Sequence, residues 1–101
     1  MATMFVAKEI QRQIGEGALY MMGAKDLIGG EDYLTWKIGR NAKGVTHIKV
    51  TLDPTDTYTV EFIKVGRAPK FDVRTLAEHS MVYFDQLHKL IESETGFYLA
   101  L

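Results

Sequence analysis

The stretch VTHIKVTLDPTDTYTVEFIKV, residues 45–65, decides the fold. Two runs within it alternate apolar and polar side chains with a period of two, and both are rich in β-branched and aromatic residues, which is typical of half-buried β-strands. Residues 53–57, DPTDT, separate the runs and contain the Asp and Pro that favour a turn. The stretch therefore predicts two antiparallel strands joined by a turn.

The register of these two strands follows from their apolar residues, which must share one face because a slip of one residue would send all of them to solvent. The predicted opposing pairs are Val50–Val60, Ile48–Phe62 and, on the outer face, Lys49–Glu61. A third strand is predicted at YLTWKI, residues 33–38, which alternates in the same way. Sharing the buried face sets Trp36 beside Ile48 and Lys37 beside His47. The three strands form an antiparallel meander.

The segments before the meander predict a helix, a strand and a loop. Apolar residues at positions 6, 7, 10 and 14 follow the helical period, so we expect a helix that Thr3 caps and that Gly15 and Gly17 end. The short apolar run ALYMM, residues 18–22, predicts a strand. Residues 24–32 predict a polar loop with a turn at Gly29-Gly30.

A second helix is predicted after the meander. Thr75-Leu76-Ala77-Glu78 matches a capping box, an apolar stripe follows at helical spacing, and Gly96 supplies the stop. We expect this helix to lie across the buried face of the sheet. The stripe comprises Leu76, Ala77, Ser80, Tyr83, Phe84, Leu87, Leu90 and Ile91. The apolar ending FYLAL, residues 97–101, predicts a terminal strand on a sheet edge or a contact with a second chain.

The whole chain, residues 1–101, is thus predicted to be a single α+β domain. A mainly antiparallel meander sheet packs against an N-terminal helix and a longer C-terminal helix, with a short C-terminal strand. Hydrophobic residues make up 47% of the chain, enough to fill a modest core. Besides the aliphatic residues, the side chains expected in this core are Met21, Met22, Trp36, Tyr58, Phe62, Tyr83 and Phe84.

Charge and composition exclude several classes of protein. The formal net charge is −1, so no global charge attracts the chain to DNA or to an anionic membrane. The absence of cysteine excludes disulfides and thiolate zinc sites and fits a cytoplasmic protein. Charged Lys8, Glu9 and Arg12 interrupt the apolar N-terminal stretch, which is therefore neither a signal peptide nor a membrane span.

A phosphate-binding loop is excluded by its own pattern. GRNAKGVT, residues 39–46, has both glycines and the threonine of G-x-x-x-x-G-K-[ST], but Val45 stands in place of the lysine that reaches the phosphates. A strand is predicted to follow, whereas the motif requires a helix N-terminus.

Metal and catalytic sites are not expected. His79 and His88 are nine residues apart on the predicted helix and face opposite ways, while His47 lies beside cationic Lys37. Neither Ser80 nor Ser93 occupies a nucleophile elbow. Asp53 and Asp56 are interpreted as turn formers, not as paired catalytic carboxylates. The sequence therefore predicts a non-enzymatic protein with no cofactor.

Basic residues gather at one end of the predicted meander. Alternate turns of a meander lie at opposite ends, so residues 39–44 and 64–70 share one end and Asp53 and Asp56 mark the other. Along the exposed face, His47 and Lys49 extend the positive region. The predicted partner-binding residues are Lys37, Arg40, Lys43, His47, Lys49, Lys64, Arg67 and Lys70. Two interpretations are open: charge that only keeps exposed loops soluble, or a patch for an acidic partner.

Four segments resemble a group of short proteins of unassigned function from bacteriophages, prophages and other mobile elements: MMGAKDL, YLTWKIG, VTHIKVTLDPTDTYTVEFIKV and TGFYLAL. The resemblance covers most of the chain from about residue 19 onward and brings no catalytic residues. It implies a protein of the host cytoplasm that binds a host macromolecule, sometimes blocking a defence system such as CRISPR interference.

Three functions are therefore open for this chain. The first is a non-enzymatic phage-type protein that binds a host protein or protein–nucleic acid complex through the basic loops and the exposed sheet face. The second is direct nucleic-acid binding through the same residues. The third is a structural protein that self-associates through residues 97–101. A membrane partner is not expected.

Overall fold

Five antiparallel strands lie side by side in chain order in the computed structural model, which describes residues 5–67, 70, 72–97 and 99. The strands are β1 (Lys25–Gly29), β2 (Tyr33–Lys37), β3 (His47–Leu52), β4 (Tyr58–Val65) and β5 (Val73–Val82). The helices are α1 (Phe5–Ile14), α2 (Glu16–Met21) and α3 (Leu87–Thr95), and a 3-10 turn at Phe84–Gln86 leads into α3. The predicted α+β class and meander sheet are confirmed.

The predicted register is confirmed in both hairpins. The opposing pairs include Val50–Val60, Ile48–Phe62 and Lys49–Glu61 between β3 and β4, and Trp36–Ile48 and Lys37–His47 between β2 and β3. The apolar members of these pairs are buried on one face of the sheet. We call this the inner face and the opposite one the outer face.

The core lies between the inner face and the helices. Its strand residues include Leu34, Trp36, Ile48, Val50, Val60 and Phe62, and its helix residues include Ala7, Ile10, Ile14, Leu87 and Ile91. Both α1 and α3 thus contribute an amphipathic stripe to one continuous cluster. Burying such stripes is the main source of stability for helices this short.

The region after α1 corrects two predictions. Gly15 separates the two helices with φ of 89°, a conformation that glycine adopts without steric cost, but Gly17 lies inside α2. Residues 18–22 are helical up to Met21, so the predicted strand is wrong. Ala18, Leu19 and Met22 are buried, and their spacing of one and three residues suits one face of a helix. The predicted cap Thr3 lies outside the described residues.

The predicted loop at residues 24–32 contains β1. Four of its five residues are exposed, so no alternation marked it as a strand. A bulge between Lys25 and Ile28, with Asp26 at φ of 54°, breaks its pairing with β2. Such irregularity and charge are common at sheet edges, where they hinder pairing with other chains. The predicted turn is present, and Gly30 donates its N–H to Tyr33 O at 2.9 Å.

The largest correction concerns residues 75–82, which form most of β5 and not the first turns of a helix. Because β4 is eight residues long, its far edge would leave a row of N–H and C=O groups without partners. Pairing with β5 satisfies these groups. The register between β4 and β5 shifts at two places. Tertiary pairing has overridden the local capping-box signal, so Leu76 and Ser80 are exposed on a strand.

The C-terminal helix therefore begins at Leu87. It ends as predicted, with Gly96 in the left-handed region at φ of 84°. Met21, Tyr83 and Phe84, which were expected in the core, are exposed, whereas Met22, Trp36, Tyr58 and Phe62 are buried. Of the predicted terminal strand, Phe97 and Leu99 are described and neither is in a strand, while residues 98, 100 and 101 lie outside the described part.

The substitution Leu76→Ser distinguishes the strand at residues 73–82 from a helix packed on the sheet, and Phe62→Ala serves as its reference. Phe62→Ala should lower the free energy of unfolding by about 3–5 kcal/mol, because it removes a fully buried ring. Leu76→Ser should change it by only about 0.5 kcal/mol, because Leu76 is 44% exposed. Urea unfolding measures both values. A loss of several kcal/mol for Leu76→Ser would contradict the assignment of β5.

Candidate functional site

Two connections meet at one end of the sheet, as the meander predicts. The β2–β3 loop, residues 38–46, and the β4–β5 connection, residues 66–72, both leave the sheet there. A recess of about 360 Å³ lies between them. The recess is lined by Lys37, Ile38, Gly39, Arg40, Asn41, Gly44, Val45, Thr46 and Arg67. We call this region the basic end.

Asn41 gives the β2–β3 loop its shape. Its side-chain amide donates to Gly39 O at 3.0 Å and to Val45 O at 2.7 Å, while its Oδ1 accepts the Val45 N–H at 3.1 Å. One side chain thus satisfies three backbone groups that the loop would otherwise expose or bury unpaired. The neighbouring Gly44 has φ of 75°, which suits glycine. Arg40 and Lys43 therefore project from an ordered turn.

Thr46 ties this loop to β4. Its backbone N–H donates to Ile63 O at 2.9 Å, and its hydroxyl oxygen accepts the Val65 N–H at 2.8 Å. These bonds extend the β3–β4 pairing to Thr46, the residue before the start of β3. Lys64 lies close by, with its Nζ beside the Cα of Gly44. The structure thus brings Lys37, Arg40, Lys64 and Arg67 together.

The remaining cations of the basic end are exposed. Lys43 lies in the ordered loop and Lys70 in the second connection, both with exposed side chains. Sequence reasoning missed two further charged residues, Asp72 and Arg74, which share a recess of about 210 Å³ with Lys64 and Gly66. Asp72 lies just outside residues 64–70, and Arg74 directly precedes Thr75, the predicted helix cap. The positive region is therefore broken by one carboxylate.

The outer face carries the other two predicted residues, His47 and Lys49, which are half-buried and alternate along β3 with the buried Ile48 and Val50. Lys49 lies opposite Glu61 in register, but its Nζ stands 4.6 Å from the ring centre of Tyr33. This is a cation–π contact between two half-buried side chains. Glu61 also pairs with Glu78 of β5, so two carboxylates come after Lys49 in the order of the strands across the sheet.

The pKa of His47 is lowered by its surroundings. Burial lowers its pKa, the charge of Lys37 lowers it further, and Asp26 raises it without cancelling the effect. Its Nδ1 lies 2.9 Å from the Thr46 hydroxyl. The imidazole is thus biased toward its neutral form, and positive charge on the outer face comes mainly from the lysines.

The other candidate residues for chemistry have structural partners. His79 lies on β5, not on a helix as predicted, and its Nε2 is 2.6 Å from Glu94 Oε2. His88 Nε2 is 2.6 Å from Ile14 O. No group of three or more metal-binding side chains forms within the described residues. Asp53 accepts the Thr59 hydroxyl at 2.6 Å and lies in the predicted turn with Asp56.

The opposite end of the sheet carries acid, as predicted for Asp53 and Asp56. Three connections meet there, at residues 30–32, 53–57 and 83–86. Together they contain five carboxylates and no lysine or arginine: Glu31, Asp32, Asp53, Asp56 and Asp85. The Leu52 N–H donates to Asp32 O at 2.7 Å, which holds two of these connections side by side. The protein is thus electrically bipolar along its strands.

Comparisons with protein-family models, with curated proteins and with solved structures find no significant match to this chain. Within the described residues, no helix has the length and apolar character needed to cross a membrane. The candidate site therefore rests on its own geometry and charge.

Acidification should expose the depressed pKa of His47. The folded state favours the neutral ring, so the unfolded state takes up the proton first as the pH falls. The contribution of His47 to stability is therefore present above the pKa that His47 has in the unfolded chain. It is lost as the pH falls through the lower pKa that His47 has in the folded protein. Wild type should therefore lose more stability than His47→Gln between about pH 7.5 and about pH 5, as measured by urea unfolding. In an NMR titration, Lys37→Gln should raise the pKa of His47; an unchanged value would contradict the contribution assigned to the charge of Lys37.

Proposed function

We propose that this chain is a non-enzymatic binding protein of phage or mobile-element type that acts on a host macromolecule in the bacterial cytoplasm. The partner is a host protein or protein–nucleic acid complex with an acidic surface, and a defence system such as CRISPR interference is one target of this kind. The residues proposed to contact it are Lys37, Arg40, Lys43, His47, Lys49, Lys64, Arg67 and Lys70.

The observation that supports this proposal is the convergence of cations from two separate connections. Arg40 and Arg67 line one recess although they are distant in the sequence, and hydrogen bonds from Asn41 and Thr46 order the loop between them. A loop that is already ordered loses less conformational entropy when it binds a partner. A purely solubilising role needs no such order, since surface charge acts equally well on mobile loops.

The shape of the site favours a macromolecule over a small ligand. The recess at the basic end, about 360 Å³, is near the small limit for ligand pockets, and exposed cations stand around it. The adjoining outer face is partly exposed and adds contact area. The phage-type context is supported by the sequence resemblance alone.

Charge reversal tests the proposal. Tagged wild-type protein is used to capture partners from a bacterial lysate, and Arg40→Glu with Lys43→Glu should reduce the captured partner at least tenfold, because it places acid against an acidic surface. Nuclease treatment of the lysate separates the partner classes. Capture that disappears with nuclease, together with direct binding of purified nucleic acid that weakens steeply with salt, would replace a protein partner by nucleic acid.

The matched control is Lys8→Glu with Lys89→Glu, which makes the same charge change on α1 and α3 at residues that line neither recess of the basic end. This control should capture the partner as wild type does, and circular dichroism should show both variants folded. Equal capture by wild type and the Arg40/Lys43 variant would remove the basic end from the proposed function.

A further inference from the structure

The acidic end of the sheet carries an exposed apolar patch that the proposed function does not use. Met81, Tyr83 and Phe84 are 59%, 55% and 63% exposed, and they are nearly consecutive where β5 turns into α3. Most large apolar side chains on a surface are scattered, whereas contiguous ones mark interaction sites. We call these three residues the corner patch.

Carboxylates surround the corner patch. Asp85 follows it directly, and the Thr57 hydroxyl contacts Met81 Sδ at 3.8 Å, which places the turn containing Asp53 and Asp56 against it. A groove of about 800 Å³ continues from the patch between β5 and α3. Met81, Val82, Asp85 and Gln86 line its near side. One lysine, Lys89, lies on its helical wall.

Edge-to-edge pairing of β5 does not suit this patch. Two irregularities interrupt the β5 ladder, and Met81 has φ of 58°, a left-handed conformation that is rare for methionine. Bulged edges hinder the addition of another strand. The corner patch is therefore suited to side-chain contacts made end-on, and the sign of the surrounding charge selects the partner.

We propose that the corner patch and its carboxylates dock the basic end of a second copy of this chain. The two surfaces are complementary in charge: one bears Asp53, Asp56 and Asp85, and the other bears Arg40, Lys43 and Arg67. Arginine also stacks favourably on aromatic rings, which Tyr83 and Phe84 supply. This contact joins unlike surfaces, so it is heterologous and repeats from copy to copy, forming head-to-tail chains.

The proposed contact is independent of the proposed function but shares the basic end with it. A host partner bound there would displace the second copy, so the two forms of binding would compete. Self-association would then hold the basic end covered until an acidic partner is present. This route is distinct from the terminal strand at residues 97–101.

Sedimentation velocity at low salt tests the contact with two variants. Phe84→Ser with Asp85→Lys disables the corner patch, and Arg40→Glu with Lys43→Glu disables the basic end. Wild type should show an average mass that rises with concentration above the monomer mass of 11.4 kDa and returns to it as salt shortens the Debye length from about 30 Å to about 8 Å. Each variant alone should remain monomeric.

An equimolar mixture of the two variants provides the decisive result. Each retains the surface that the other lacks, so the mixture should form a dimer of twice the monomer mass that does not grow further. The control Tyr20→Ser with Glu16→Lys makes similar changes on α2 and should associate like wild type. A monomeric wild type, association that survives either variant, or a mixture that stays monomeric would each overturn the proposal. Circular dichroism checks that the variants are folded. Asp85→Asn, which removes the charge and keeps the size of the side chain, should also weaken self-association.

Discussion

The pairing of β3 with β4 is the interaction on which the rest of the structure depends. Ile48 lies opposite Phe62 and Val50 opposite Val60, and all four side chains are fully buried. A slip of one residue would expose this whole set, so the register is held by hydrophobic burial and not by any single hydrogen bond. From this pair, β2 extends the sheet on one side and β5 on the other.

The two charged ends are a consequence of that arrangement. In a meander, successive connections alternate between the ends of the sheet, so the order of charges along the sequence becomes their distribution in space. Arg40 and Arg67 meet because one β-hairpin separates their loops, and Asp32 and Asp53 adjoin for the same reason. Neither end requires residues with unusual chemistry; each requires only that the connections be short and the strands remain in register.

The alternating strands and the grouping of basic loops could be predicted from the sequence because both depend on a period of two and on connectivity. The parts that could not be predicted depend on partners remote in sequence. In β1, exposed Leu27 and Ile28 show no buried face. Residues 75–82 satisfy helix signals locally, and only the free edge of β4 makes them a strand. The bonds of Asn41 and Thr46, which order the candidate site, leave no periodic pattern, although asparagine and glycine in the same loop favour a turn. Asp72 and Arg74 were missed because they lie between the basic segment at residues 64–70 and the helix predicted from Thr75, a stretch for which no element was predicted.

The most direct test of this account is a nuclear Overhauser experiment on the labelled protein. Contacts across β4 and β5 should join Phe62 with Ala77 and Val65 with Val73, alongside contacts between Val50 and Val60 across β3 and β4. Such contacts would establish the five-stranded meander from which both charged ends follow. Helical contacts between residues three apart throughout 75–82, with no cross-strand contacts to β4, would contradict the account.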